Sequence, residues 1–119
     1  MTPRQDPACL FCRIARRELP ARILFETDDL LAFEDIRPKA PVHVLVIPKT
    51  HFASLNDAPE GSERLIGELL HAARRVAREK GVDVTGYRIV LNTGPDSGQE
   101  VPHIHFHVIG GRSLAWPPG

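Results

Sequence analysis

Near the C-terminal end of the chain three histidines alternate with apolar residues, in the run His103-Ile104-His105-Phe106-His107-Val108-Ile109. Alternation at period two is the pattern of a strand with one buried and one polar face. On that reading Ile104, Phe106 and Val108 enter a core, and three imidazoles line up on the other side, roughly 7 Å apart. Imidazole titrates near neutrality and is costly to bury unsatisfied, so three in register point to chemistry rather than to packing alone. A neutral ring nitrogen is a nucleophile, a proton carrier or a metal ligand. Cys9 and Cys12 form a second group. In a reducing compartment their spacing reads as half a zinc site or a redox pair, not as a structural disulfide. A redox pair wants a strand before it, and only a polar, Pro-containing segment precedes Cys9.

The chain has 119 residues, enough for one domain that buries about two-thirds of its unfolded surface. Fifteen basic and fifteen acidic residues cancel, which leaves no electrostatic footprint for nucleic acid or an anionic membrane. A small anionic ligand needs only local donors and remains compatible with that balance. The N-terminus lacks the long apolar stretch of a signal peptide, and no segment approaches about 18 apolar residues. A cytoplasmic protein is the expectation.

The elements that must position these side chains follow from periodicity and punctuation. Residues 1–8 read as a flexible N-terminal tail. Cys9 to Glu18 reads as a short helix that Pro20 stops. Arg22–Glu26 and Leu30–Glu34 read as strands around a Thr27-Asp28-Asp29 turn, and His43–Pro48 as a strongly apolar strand. Leu65, Ile66, Leu69, Leu70, Ala73, Val76 and Ala77 form the stripe of a long amphipathic helix, with Gly81 as its stop. His71 lies in that helix as a solvated surface residue. Tyr87–Asn92 is a further strand, Thr93–Val101 a loop, and Pro102–Gly110 the histidine strand. Strands in meander-like groups around one long helix imply an α+β fold: a five-stranded antiparallel sheet with the helix on one face and the histidines on the other.

The histidine run resembles the signature of the histidine triad (HIT) superfamily, His-φ-His-φ-His-φ-φ with φ apolar. Cys9-Leu10-Phe11-Cys12, Leu31-Ala32-Phe33-Glu34-Asp35-Ile36, His43-Val44-Leu45-Val46-Ile47-Pro48-Lys49 with His51, and the closing Trp116-Pro117-Pro118-Gly119 resemble the Hint branch. The similarity spans residues 9–119, which marks that stretch as the HIT domain. Hint-like proteins are homodimeric purine nucleoside phosphoramidases. The resemblance therefore implies hydrolysis of AMP- or GMP-type nucleoside 5′-monophosphoramidates through a nucleotidyl-histidine intermediate.

Attack on phosphorus needs a nucleophile that is neutral and basic near pH 7, which an imidazole provides. His105, the middle histidine, matches the family's nucleophile, and its other ring nitrogen must donate to an acceptor such as a backbone carbonyl. His107 would donate to a non-bridging phosphate oxygen. His43 matches a buried histidine behind the triad. Asp35 matches the residue that accepts from ribose hydroxyls, while Phe11, Ile14, Phe33 and Ile36 would form an apolar slot for the base. Asn92 matches a family position that hydrogen-bonds the phosphate, and Gly98 allows close backbone approach in a loop whose N–H groups would cradle an oxyanion. Glu100 departs from the family, which commonly has Ser or Thr there to hydrogen-bond the departing nitrogen. An ionised carboxylate only accepts hydrogen bonds, so the leaving-group preference of this chain is open.

Two further expectations concern cofactor and partner. The resemblance implies one structural Zn²⁺ on Cys9, Cys12, His51 and His103, where spacing alone would equally permit His103 with His105. Trp116, at the stiff Pro-rich end, would contribute to the active site of the partner subunit in a homodimer. A dinucleoside polyphosphate hydrolase would use the same triad, but the Trp-Pro-Pro-Gly ending favours the Hint branch. A nucleotidylyltransferase relative typically carries Gln in place of the third histidine, so His107 argues for water as acceptor. A non-catalytic nucleotide-binding regulatory protein would need Asp35 but not His105.

Overall fold

The structure is a computed structural model and describes residues 4–119. In chain order the elements are α1 (Leu10–Ala15), β1 (Ile23–Glu26), β2 (Leu30–Glu34), β3 (Val42–Pro48), α2 (Glu63–Glu79), β4 (Tyr87–Val90) and β5 (Phe106–Gly110). The strands form one antiparallel sheet in the order β1-β2-β3-β5-β4, as the α+β reading requires. Both helices end in the same way. Arg17, at φ 63°, and Gly81, at φ 72°, each turn into the left-handed region one residue past the cap. The amides that follow return to earlier carbonyls, Glu18 to Arg13 and Val82 to Ala77. This turn stops α1 at Ala15, short of the expected Glu18. Among the described residues no helix is long and apolar enough to cross a membrane.

Alternation along the strands divides the core in two. Leu30, Ala32, Val44, Val46, Phe106 and Val108 face α2 and pack on Leu69, Ala73, Val76 and Ala77. Burying each Leu, Val or Phe side chain of this layer contributes about 1.5–3 kcal/mol, so it holds the domain together. Leu70, expected in the stripe, is exposed, and Ala72 takes its place. On the other face Leu31, Phe33, Leu45 and Ile47 pack under α1, against Phe11, Cys12 and Ile14.

Two expectations change here. The histidine strand begins at Phe106, not Pro102, so only His107 lies on it. Pro102 has no amide to donate, His103 N–H bonds the Val101 carbonyl, and Ile104 N–H bonds Phe52 instead of a strand neighbour. The second change concerns the tail. Residues 1–3 lie outside the described residues, but residues 4–8 are tied to the body: the Arg4 carbonyl accepts from His51 N–H at 2.6 Å, and Asp6 N–H points at Cys12 Sγ at 3.4 Å.

Candidate active site

The α1 face of the sheet carries the site where β3 meets β5. His107 pairs across the ladder with Leu45, and His43 with Ile109, which brings the two imidazoles together diagonally. His43 Nε2 lies 2.9 Å from His107 Nδ1. The tautomers follow from one backbone bond. Lys39 N–H donates to His43 Nδ1 at 3.0 Å, so the ring's proton sits on Nε2 and is donated onward. His107 Nδ1 must accept it, which leaves the His107 proton on Nε2. Asp35 Oδ2 is 3.4 Å from His43 Nε2, and Asp35 Oδ1 accepts from Arg37 N–H. Asp35, His43 and His107 thus gather donor atoms closely enough for a metal. Because His43 Nε2 already carries a proton, the three form a hydrogen-bond chain rather than a ligand set.

His105 precedes β5 and is 6% exposed. Its Nδ1–H donates to the His103 carbonyl at 2.7 Å, an acceptor of the kind anticipated from the sequence, and this leaves the Nε2 lone pair free. Phe11 holds the ring edge-on, with centroids 5.1 Å apart, and the His107 ring lies 4.9 Å away. Burial lowers the pKa of His105, against the bond to the His103 carbonyl and the charges of Asp35 and Glu100. Burial, reinforced by His105 and His43, drives His107 down to about 4, and burial also lowers His43. All three are neutral at pH 7.

These depressed values make a prediction about acid. In an NMR titration His107 should protonate near pH 4 and His105 below the ordinary 6.5. A midpoint at or above 6.5 for either would mean that water reaches the ring freely. The unfolded chain takes up these protons at higher pH than the folded one. The stability contribution is therefore complete above about pH 6.5 and is lost as pH falls towards 4.

His103 lies before β5, its ring 5.9 Å from that of Phe11, which also packs on His105. His103 is fully buried and turned towards α1. Its Nε2–H donates to the Pro48 carbonyl at 2.8 Å, which aims the Nδ1 lone pair at three other donors. Cys9 Sγ is 3.3 Å away, Cys12 Sγ 3.6 Å and His51 Nδ1 3.1 Å, while Cys12 Sγ and His51 Nδ1 are 3.5 Å apart. Sulfur and nitrogen ligands about 2.0–2.3 Å from one tetrahedral ion lie about 3.3–3.8 Å from each other. The separations of 3.3, 3.5 and 3.6 Å fall in that range, the 3.1 Å between the two imidazoles falls just below it, and all four donor atoms lie within 4.8 Å of one another. Cys9 Sγ accepts from Cys12 N–H and Cys12 Sγ from Asp6 N–H, both at 3.4 Å, as thiolates in closed sites do. Burial raises the Cys12 thiol to about 11, so without a cation Cys12 stays protonated.

The remaining expected residues divide. Phe11, Ile14 and Phe33 are buried in the core beneath α1, whereas Ile36 is 93% exposed. The apolar slot is therefore a packed wall with a single free side chain beyond it. Gly98, at φ 84°, spends its amide on the Pro95 carbonyl and closes a turn. Asn92 follows β4, half-buried, and Glu100 is exposed. Trp116 is 80% exposed, its ring 5.9 Å from the Arg88 guanidinium, which also donates to the Ala115 carbonyl. Gln99 was not anticipated. Its side-chain amide bonds the Ala53 and Val101 carbonyls and accepts from Gly94 N–H, knitting together the loop that delivers the histidines.

Comparison with known proteins places this geometry. The HIT domain family model matches residues 16–114. The chain is 45% identical over 120 residues to the adenylylsulfatase HINT1 of Arabidopsis thaliana, covering 99% of this chain and 80% of that one. It is 52% identical over 110 residues to an uncharacterized HIT-like protein of Synechococcus elongatus, covering 92% and 96%. Among solved structures, a HIT family hydrolase from Legionella pneumophila superposes with a TM-score of 0.90 at 49% identity, covering 93% of this chain and 99% of the other. The chain is a hydrolase and belongs to the HIT-domain family.

Proposed function

We propose that the protein hydrolyses nucleoside 5′-monophosphoramidates to the nucleotide and an amine. The observation that carries this reading is His105: neutral, with Nδ1–H committed to the His103 carbonyl and Nε2 free beside His107. In this mechanism His105 Nε2 attacks the α-phosphorus. A nitrogen–phosphorus bond forms while the bond to the leaving nitrogen breaks, the amine taking the bonding pair and a proton. Water then attacks the same phosphorus, releases the nucleoside monophosphate and restores His105. His107 Nε2–H donates to a non-bridging oxygen. Asp35, with Oδ1 already accepting from Arg37, keeps lone pairs for ribose hydroxyls. Ile36, standing free, meets a purine from one side.

The test is a substrate panel of adenosine and guanosine phosphoramidates, dinucleoside polyphosphates and adenylyl sulfate. The last belongs there because the Arabidopsis relative is named an adenylylsulfatase. A phosphoramidate should show the highest kcat/KM, by at least about tenfold. A preference for dinucleoside polyphosphates would replace this reading, and binding without turnover would indicate a regulatory nucleotide-binding protein.

The same reading includes a homodimer and one structural Zn²⁺ per chain on Cys9, Cys12, His51 and His103. The convergence of four sulfur and nitrogen donors supports the metal. The exposed Trp116, beside the open edge of the sheet at β4, supports a tail that completes the partner's site. Sedimentation should give twice the chain mass. Deleting residues 114–119 should change leaving-group selectivity across the panel by about tenfold while moving Tm by only a few degrees. Unchanged selectivity would make the tail purely structural.

A further inference from the structure

One residue belongs to both halves of this molecule. The His103 side chain reaches into the four-donor cluster, and its main-chain oxygen is the acceptor that holds His105 Nδ1–H at 2.7 Å. A second connection runs through α1. Phe11 stands between Cys9 and Cys12 in sequence and packs its ring edge-on against both His103, at 5.9 Å, and His105, at 5.1 Å. Helix α1 has only six residues, too few to persist without tertiary support, so its placement depends on what it is attached to. The cluster therefore touches both groups that orient the nucleophile.

We infer that the Cys9–Cys12–His51–His103 cluster, closed on a metal ion, is a positioning device for His105, setting the tautomer and angle of its ring rather than only fastening the N-terminal helix. The inference rests on the reading of His105 as nucleophile. His103 and Phe11 are the positioning residues, and neither needs to touch substrate. With the cluster open, α1 and the His103 turn gain freedom, and the His105 proton exchanges between its two nitrogens. The fraction of rings with a free Nε2 lone pair falls accordingly.

The experiment compares three full-length samples: zinc-loaded protein, the same protein stripped by chelator, and His51→Ala, which opens the cluster at a residue remote from His105. Ring tautomers are read by long-range proton–nitrogen NMR, and nucleoside monophosphate binding and turnover are measured in parallel. Loaded protein should show His105 protonated at Nδ1 alone. Stripped and His51→Ala protein should show mixed tautomers and a kcat at least about tenfold lower, with binding within about threefold. His51→Cys, which restores four donors, should recover both readouts when zinc is added. An unchanged His105 tautomer in stripped, folded protein overturns the inference. So does unfolding with binding and turnover lost together, which would make the cluster a staple, and so does failure of the wild type to bind zinc. If the loaded wild type turns over no panel substrate, the proposed function fails, while the tautomer measurement still decides this point.

Discussion

Replacing His105 by Ala or Gly is expected to lower turnover by at least about 10³-fold while nucleoside monophosphate binding stays within about tenfold. The asymmetry follows from geometry. His105 offers the free Nε2, whereas in the proposed mechanism the phosphate and ribose contacts would come from His107 and Asp35. Removing the nucleophile closes the covalent route, and water has no activating base in its place. The cluster does not need the His105 ring, so the variant should fold and keep its metal. Rapid quench with a labelled substrate should trap a phosphorus–nitrogen adduct on His105 in the wild type and none in the variant. Retention of more than a few per cent of the rate, or an adduct on another histidine, would move the nucleophile elsewhere.

The second large effect concerns metal. Purified, chelator-washed protein should contain about one zinc per chain, and Cys12→Ser and His51→Ala should contain almost none. Cys12, whose thiol burial raises to about 11, must give up its proton to bind. Loading at pH 7 should therefore release protons, and affinity should climb with pH. Because the donors come from residues as far apart as Cys9 and His103, closing them on one ion ties both ends of the chain together. The zinc-free variants should melt more than about 10 °C lower. Protein produced with zinc available yet free of metal would refute the assignment. Metal lost in His105→Ala but kept in His51→Ala would place it on the triad instead.

How much of this was legible in the sequence depends on which atoms carry the interaction. Helix α2 was legible because burial on one face leaves a 3.6-residue stripe, and β3 because both its faces are buried. The histidine strand was read four residues too long. Alternation continues through His103 and Ile104, but Pro102 and the Phe52 carbonyl take that backbone out of the ladder. The cysteine spacing reads as half of a metal site, the resemblance named His51 and His103, and the fold gathers the four donor atoms within 4.8 Å of one another. Lys39 and Pro48, which set the tautomers of His43 and His103, act through main-chain atoms and leave no side-chain signal. Gln99 sits in a loop whose Gly and Pro residues drew attention to turns rather than to a bridging amide. The apolar residues Phe11, Ile14, Phe33 and Ile36 differ in burial for a related reason, since an apolar residue in a sequence does not say which side of a wall it faces.

The bond from Lys39 N–H to His43 has a consequence for proton traffic. A chain of imidazoles is usually a wire, passing a proton in at one end and out at the other. Here the inner end is a peptide N–H, which has no proton to surrender in ordinary chemistry, so the wire is terminated. His107 can offer its hydrogen but cannot be resupplied from behind. Nor can His105 supply one while its Nδ1–H is anchored to the His103 carbonyl. In the proposed reaction, any proton beyond the one His107 carries would have to enter from the mouth of the site, through solvent. Reprotonation of His107 between turnovers would then depend on the outside of this molecule, not on its interior.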